Sequence, residues 1–94
     1  MYIKIDFDSV KNEKNIRERG LSFERVGDFD FETAVVRQDV RKAYPESRFV
    51  ALGFLEARLH VLCFATTVDG IRVISFRKAN YREVKDYEQT SPPR

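Results

Sequence analysis

Ninety-four residues, 43% of them hydrophobic and eight of them Phe, describe one small domain with enough apolar material for a real core. Seventeen basic against 15 acidic residues leave a net charge of +2, too little to announce a nucleic-acid binder without a particular placement of the charge. A single cysteine, Cys63, excludes an intramolecular disulfide and a Cys-rich metal site, and inside its apolar run it reads as a small buried hydrophobe.

The chain opens Met1-Tyr2-Ile3-Lys4-Ile5-Asp6, charged at once, which predicts no signal peptide. No apolar run approaches the ~20 residues of a membrane span. A cytoplasmic protein that does not touch a membrane is the expectation.

In chain order, Tyr2 to Phe7 reads as a short strand. Asp8 or Ser9 caps a helix from Val10 to about Arg19, with Phe7 as a staple and Gly20 as the stop. Its charge run, Lys11 to Arg19, mixes signs with Glu13 and Glu18 and reads as a solvated face. Ser22 caps a second helix to about Asp30, turning Phe23, Val26 and Phe29 inward. Phe31 to Arg37 is a short strand, and the polar, Pro-containing stretch Asp39 to Glu46 is a loop.

Three strands follow: Ser47 to Leu55, Arg58 to Thr66, and Ile71 to Lys78. The turns are Glu56-Ala57 and Asp69-Gly70, the latter a strong hairpin signal. Asn80 caps the last helix with Glu83 in a capping box, and Tyr81, Val84 and Tyr87 form its apolar stripe. Residues 88–94, ending Ser91-Pro92-Pro93-Arg94, read as a flexible tail. The order β-α-α-β-β-β-β-α predicts an α+β fold with an antiparallel sheet, two N-terminal helices on one face, and a C-terminal helix.

Pairing Leu55 with Arg58 and Val68 with Ile71 sorts the strands onto two faces. One face carries Val50, Leu52, Phe54, Val61, Cys63, Ala65, Ile74 and Phe76, and is expected under the N-terminal helices. The other is mixed and carries Ser47, Phe49, Ala51, Gly53, Arg58, His60, Leu62, Phe64, Val73, Ser75 and Arg77. On it, His60 is expected beside Arg77 and Ser75, above an open floor at Ala51 and Gly53.

These pieces together resemble the BrnT toxins of type II toxin–antitoxin systems. The matching residues are Phe7-Asp8 with Asn15, then Arg19-Gly20-Leu21-Ser22-Phe23-Glu24. Glu46-Ser47-Arg48-Phe49-Val50-Ala51-Leu52-Gly53 and Ile71-Arg72-Val73-Ile74-Ser75-Phe76-Arg77-Lys78-Ala79 follow, with Glu83 and Tyr87-Glu88 in the last helix. The family more often has Ala at Phe76, His at Arg19 and Trp at Phe49. The resemblance implies a RelE-like fold and a ribonuclease toxin that works without a metal or other cofactor. It also implies a ribbon-helix-helix antitoxin, BrnA-like, that neutralises the toxin and carries it to operator DNA.

Metal-free RNA cleavage turns the RNA's own 2′-hydroxyl on the adjacent phosphate, so it needs a base, an acid and cations. Arg77 is the first candidate for the phosphate, because a guanidinium stays charged and grips two oxygens at once. Its competing reading is a salt bridge to a helix carboxylate. Lys78 adds a point charge. His60, the sole histidine, is a candidate acid or base, against a half-buried spacer. Glu46 is a second candidate base, against a surface ion pair.

Arg48, Arg58, Arg72, Arg82 and Ser75 are candidate RNA contacts. Phe49 and Tyr87 join them as stacking or hydroxyl groups, with core packing as the alternative. A ribonuclease toxin that blocks translation and growth is the leading expectation. A catalytically inactive homologue, serving as an interaction subunit and co-repressor with the antitoxin, is the other.

Overall fold

A computed structural model describes residues 3–90. The elements run β1 (Lys4–Phe7), α1 (Ser9–Arg19), a 3₁₀ helix (Phe23–Asp28), β2 (Val35–Asp39), β3 (Arg48–Leu55), β4 (Arg58–Thr66), β5 (Gly70–Lys78) and α2 (Tyr81–Thr90). They build a mixed α+β fold on one five-stranded sheet, ordered β1-β5-β4-β3-β2. The second helix is a 3₁₀ segment, and β2 begins at Val35 rather than Phe31. Helix α2 runs on through Glu88, Gln89 and Thr90, where a flexible tail was expected. Residues 91–94 of that expected tail lie outside the described residues.

The sheet is not wholly antiparallel, because β1 pairs with β5 in parallel while the other three pairings are antiparallel. No hairpin links β1 to β5, so no tight turn dictates their relative direction. Gly70 permits their close approach: a Cβ there would overlap the backbone of Lys4.

Local chemistry explains most boundaries. The Asp8 carboxylate caps α1, accepting from the amides of Val10 at 2.8 Å and Lys11 at 3.5 Å. Gly20 ends α1 in the left-handed region at φ 65°, its amide bonded to the Ile16 carbonyl at 2.8 Å. Asn80 and Glu83 form the expected reciprocal capping box on α2, at 2.8 and 2.9 Å.

Helix α1 has almost no apolar face; its one buried residue is Asn15. Polar tethers hold it instead. Asn15 Nδ2 donates to both Leu21 O and Phe76 O, each at 2.9 Å, and Asn12 Oδ1 accepts from the Phe23 amide at 2.8 Å. The Phe76 carbonyl lies on β5 beyond the reach of β1, which pairs only as far as Val73. Asn15 thereby satisfies a strand edge that would otherwise lack a partner.

Both sheet faces are covered, and their partners are the reverse of the expectation. Ala51, Leu62, Phe64, Val73 and Phe76 pack under the 3₁₀ segment with Phe23, Val26 and Phe29. Val50, Leu52, Phe54, Val61 and Cys63 pack under Val84 and Tyr87 of α2. The small residues are packing devices, not an open floor. A Cβ at Gly53 would come within 2.6 Å of Phe29 and 2.9 Å of Ala34, so the bulk missing from the strand is supplied by the layer above.

The register of the first hairpin, Leu55 opposite Arg58, is as expected. The second hairpin keeps the expected facing as far as Phe64 opposite Val73, and then slips: Cys63 faces Ser75, with Ile74 as the extra residue. This β-bulge reverses the facing of everything after it. Phe76 therefore shares its face with Ala51 and Leu62 instead of Val61 and Cys63, and Arg77 shares the α2 side with Val61. Because the covering layers are also exchanged, Phe76 still lies under the N-terminal layer, as expected, and Arg77 away from it.

Candidate active site

The bulge determines where the cations of β5 arrive. His60 pairs with Lys78, and Arg77 pairs with Val61. The expected triad of His60, Arg77 and Ser75 on one face is therefore not formed. His60 instead lies under the N-terminal layer, 4% exposed, its ring 5.4 Å from that of Phe76. Its Nδ1 lies 2.9 Å from the Arg58 carbonyl. A carbonyl only accepts, so Nδ1 carries the proton and Nε2 holds the lone pair.

Burial is the main force lowering the His60 pKa, helped by the cations of Arg58, Lys78 and Arg25. The ring is neutral at pH 7. Its Nε2 has no hydrogen-bond partner among the described residues, and it is not among the fully buried unpartnered atoms. His60 itself is among the residues lining the larger of two adjoining clefts.

Arg77 makes the helix-carboxylate salt bridge that competed with its functional reading. Its two terminal nitrogens donate to the two oxygens of Glu83, each at 2.8 Å. The pairing lowers the Glu83 pKa and raises that of Arg77, in each case chiefly through these hydrogen bonds. One carboxylate thus caps α2 and orients the guanidinium. Arg77 has five N–H donors. Two go to Glu83 and a third, at 3.3 Å, to the Lys78 carbonyl, which leaves two for an incoming anion.

Two adjoining clefts lie at this end of the sheet. The first, about 320 Å³, is lined by Arg19, Gly20, Leu21, Arg77 and Lys78. The second, about 430 Å³, is lined by Gly20, Leu21, Arg25, the Leu55–Arg58 turn, His60 and Lys78. They share Gly20, Leu21 and Lys78. Arg19, Arg58 and Lys78 have no ion-pair partner among the described residues. An open cationic cleft with a neutral imidazole beside it can bind a phosphodiester and accept a proton.

The structure thus brings Arg77, Lys78, His60 and Arg58 to one end of the sheet. It leaves Glu46 at the other. Glu46 pairs with Arg72 at 3.4 Å, and Arg72 also approaches Asp6 at 4.0 Å. Arg72 and Arg77 are five residues apart on one strand, roughly 15 Å, so Glu46 is out of reach of the Arg77 cleft. Arg48 is at the Glu46 end too, its guanidinium 4.3 Å from the Tyr44 ring centroid.

Phe49 stacks on Phe64 at 5.5 Å within the core. Tyr87 donates its hydroxyl to Thr33 O at 3.0 Å and packs edge-on against Phe54. Both fulfil the packing alternative. Ser75 is half-buried at the β5 edge, beside Lys11, Lys14 and Arg19. Arg82 is exposed in the first turn of α2.

Sequence reasoning missed Arg19, treated as part of a solvated helix face, and Glu83 as the partner of Arg77. The helix stop at Gly20 is the signal that could have found Arg19, because it fixes which residue ends the helix beside β5. Among the described residues no group of three or more His, Cys, Asp or Glu is arranged to hold a metal. No described helix is long and apolar enough to cross a membrane.

Comparison with known proteins identifies the family. The chain is similar to the Brucella abortus ribonuclease toxin BrnT, known from a 1.1 Å crystal structure, with 25% identity and a TM-score of 0.65 over 84% of this chain and 99% of that one. No curated protein sequence matches. The family model for the ribonuclease toxin BrnT of type II toxin–antitoxin systems matches residues 7–83, most of the chain and both strands that deliver His60 and Arg77. The protein belongs to the BrnT family of ribonuclease toxins of type II toxin–antitoxin systems.

Proposed function

We propose that this protein cuts RNA endonucleolytically without a metal ion, and that the centre is the cleft at the end of β5. The observation that carries this reading is the convergence of Arg19, Arg77 and Lys78 on one open cleft, with His60 lining the cleft next to it. The scissile phosphate binds to the two remaining donors of Arg77, with Lys78 and Arg19 as further charge.

His60 Nε2 takes the proton of the 2′-hydroxyl. The 2′-oxygen attacks phosphorus and the bond to the 5′-oxygen breaks, leaving a 2′,3′-cyclic phosphate. The departing oxygen takes a proton from the Lys78 ammonium, since guanidinium does not give one up. Arg58 and Arg82 hold flanking phosphates. Glu46, the other candidate base, takes no part.

In this reading the chain is a RelE-like toxin that acts in the cytoplasm, stops translation and arrests growth. A ribbon-helix-helix antitoxin of the BrnA kind neutralises it, and the pair reaches operator DNA through the antitoxin. Family membership supports the toxin and antitoxin roles; the cleft supports the chemistry.

A second reading is favoured by the Arg77–Glu83 pair, which already neutralises the main cation. Here the chain is a catalytically inactive interaction subunit and co-repressor. Induced expression in a bacterium separates the two, with growth and total RNA integrity followed for wild type and Arg77→Ala. The enzyme reading expects arrest and fragmented RNA for wild type only, persisting in cleavage assays with excess EDTA. Normal growth and intact RNA with folded wild type sinks it.

A further inference from the structure

The phosphate cleft accounts for Arg19, Arg77 and Lys78, but the larger cleft next to it has no assigned occupant. Its walls have two characters. Leu21, Leu55 and Ala57 are apolar, and the largely buried His60 ring, packed against Phe76, is part of the lining. The rim carries Arg58 and Lys78, which have no ion-pair partner among the described residues. Arg25, also on the rim, is tied to Glu56 and Asp28 and so contributes little net charge.

A volume of about 430 Å³ is in the usual range for a small-molecule site, roughly 300–1,000 Å³. An apolar and aromatic pocket with cations on one side suits a flat heterocycle that carries an anionic group. It suits a simple inorganic anion poorly.

The direction of the strand follows from the imidazole. Nδ1 is committed to the Arg58 carbonyl, so Nε2 can only accept, and its partner must be a donor. The ribose 2′-hydroxyl that attacks the scissile phosphate belongs to the nucleotide on that phosphate's 5′ side. A ribose placed at Nε2 has its 3′-phosphate toward Lys78, which lines both clefts. We infer that the larger cleft is the subsite for the nucleoside immediately 5′ of the scissile phosphate. The RNA then runs 5′ to 3′ from the β3–β4 turn toward the C-terminal end of α1. This inference rests on the reading of the neighbouring cleft as the phosphate site. Base preference, where the enzyme has one, arises at Ala57, Arg58 and Leu21.

The chain has one histidine, so its imidazole gives a single set of ring resonances. Purified full-length protein is titrated with nucleoside 3′-monophosphates, with the 5′ isomers and with inorganic phosphate. The 3′ compounds are expected to shift the imidazole signals and to bind at least about tenfold tighter than phosphate, as stacking and apolar contact would add. Ala57→Trp, at an exposed turn position, is expected to fill the cleft and remove that advantage while phosphate still binds.

Equal binding of the 5′ isomers overturns the polarity. Unmoved imidazole signals, or an advantage that survives Ala57→Trp, overturn the subsite. RNA cleavage measured on the same preparation tells the two failures apart. Cut RNA with a silent imidazole rejects the subsite alone, whereas uncut RNA rejects the nuclease reading beneath it.

Discussion

The two ends of the sheet treat their arginines differently. At the Glu46 end, Arg72 is balanced by Glu46 and Asp6, Arg41 by Asp39, and Arg48 lies on the face of Tyr44. Asp39 accepts from Arg41 and Tyr44, and the Arg41 hydrogen bonds in particular hold its carboxyl well below the usual range. At the Arg77 end, Arg19, Arg58 and Lys78 have no ion-pair partner among the described residues, and two clefts open between them. Arg77 is paired there, yet the pair orients it and leaves donors to spare. A cation makes an anion site when its partners leave it donors and space, not by its presence in the sequence.

The largest expected effect divides the two ends. Arg77→Ala should lower RNA cleavage by about 10²–10³-fold, the usual cost of removing a preorganised donor. Glu46→Gln should leave it within about threefold, where loss of a true general base costs about 10²–10⁴-fold. Initial rates on one RNA decide it, and a collapse in Glu46→Gln would return catalysis to the other end.

Next in size is the salt dependence of RNA binding. Each of Arg19→Ala and Lys78→Ala should reduce the slope of log affinity against log salt by about one, as for a lost phosphate contact. Arg72→Ala, already balanced by two carboxylates, should leave the slope unchanged.

The acid response should also be local. Burial depresses the His60 pKa from its ordinary 6.5, so the unfolded chain takes up a proton that the native state resists. Stability from this group is full above pH 6.5 and is lost as pH falls through that value toward the native pKa. Denaturant midpoints should fall across this window in wild type and stay flat in His60→Gln. If His60 is the base, cleavage should persist somewhat below pH 6.5 and then decline. Glu83, with its depressed pKa, adds a separate loss below its ordinary 4.5.

The smallest effect expected is on stability at the Glu46 end. Arg72→Ala breaks two exposed ion pairs and should cost no more than about 1 kcal/mol. A larger shift in the urea midpoint would mean that these charges support the fold.

The sequence by itself determined the local features. Asp8, Gly20, Ser22 and the Asn80–Glu83 box set the helix ends because capping is short-range chemistry among neighbours. Leu55 opposite Arg58 followed from a two-residue turn, and the motif from Phe7 to Glu88 was enough to suggest the family. The tertiary structure alone decided which layer covers which face, because the middle of each face is apolar and the polar residues of the mixed face lie at its ends, so alternation does not say which face takes which layer. It also decided the facing of Arg77. The bulge at Ile74 has no glycine to mark it, and one unpaired residue sends every later side chain to the opposite side. His60 and Arg77 were therefore legible as chemistry, while the arrangement that puts them in adjoining clefts depends on contacts distant in sequence.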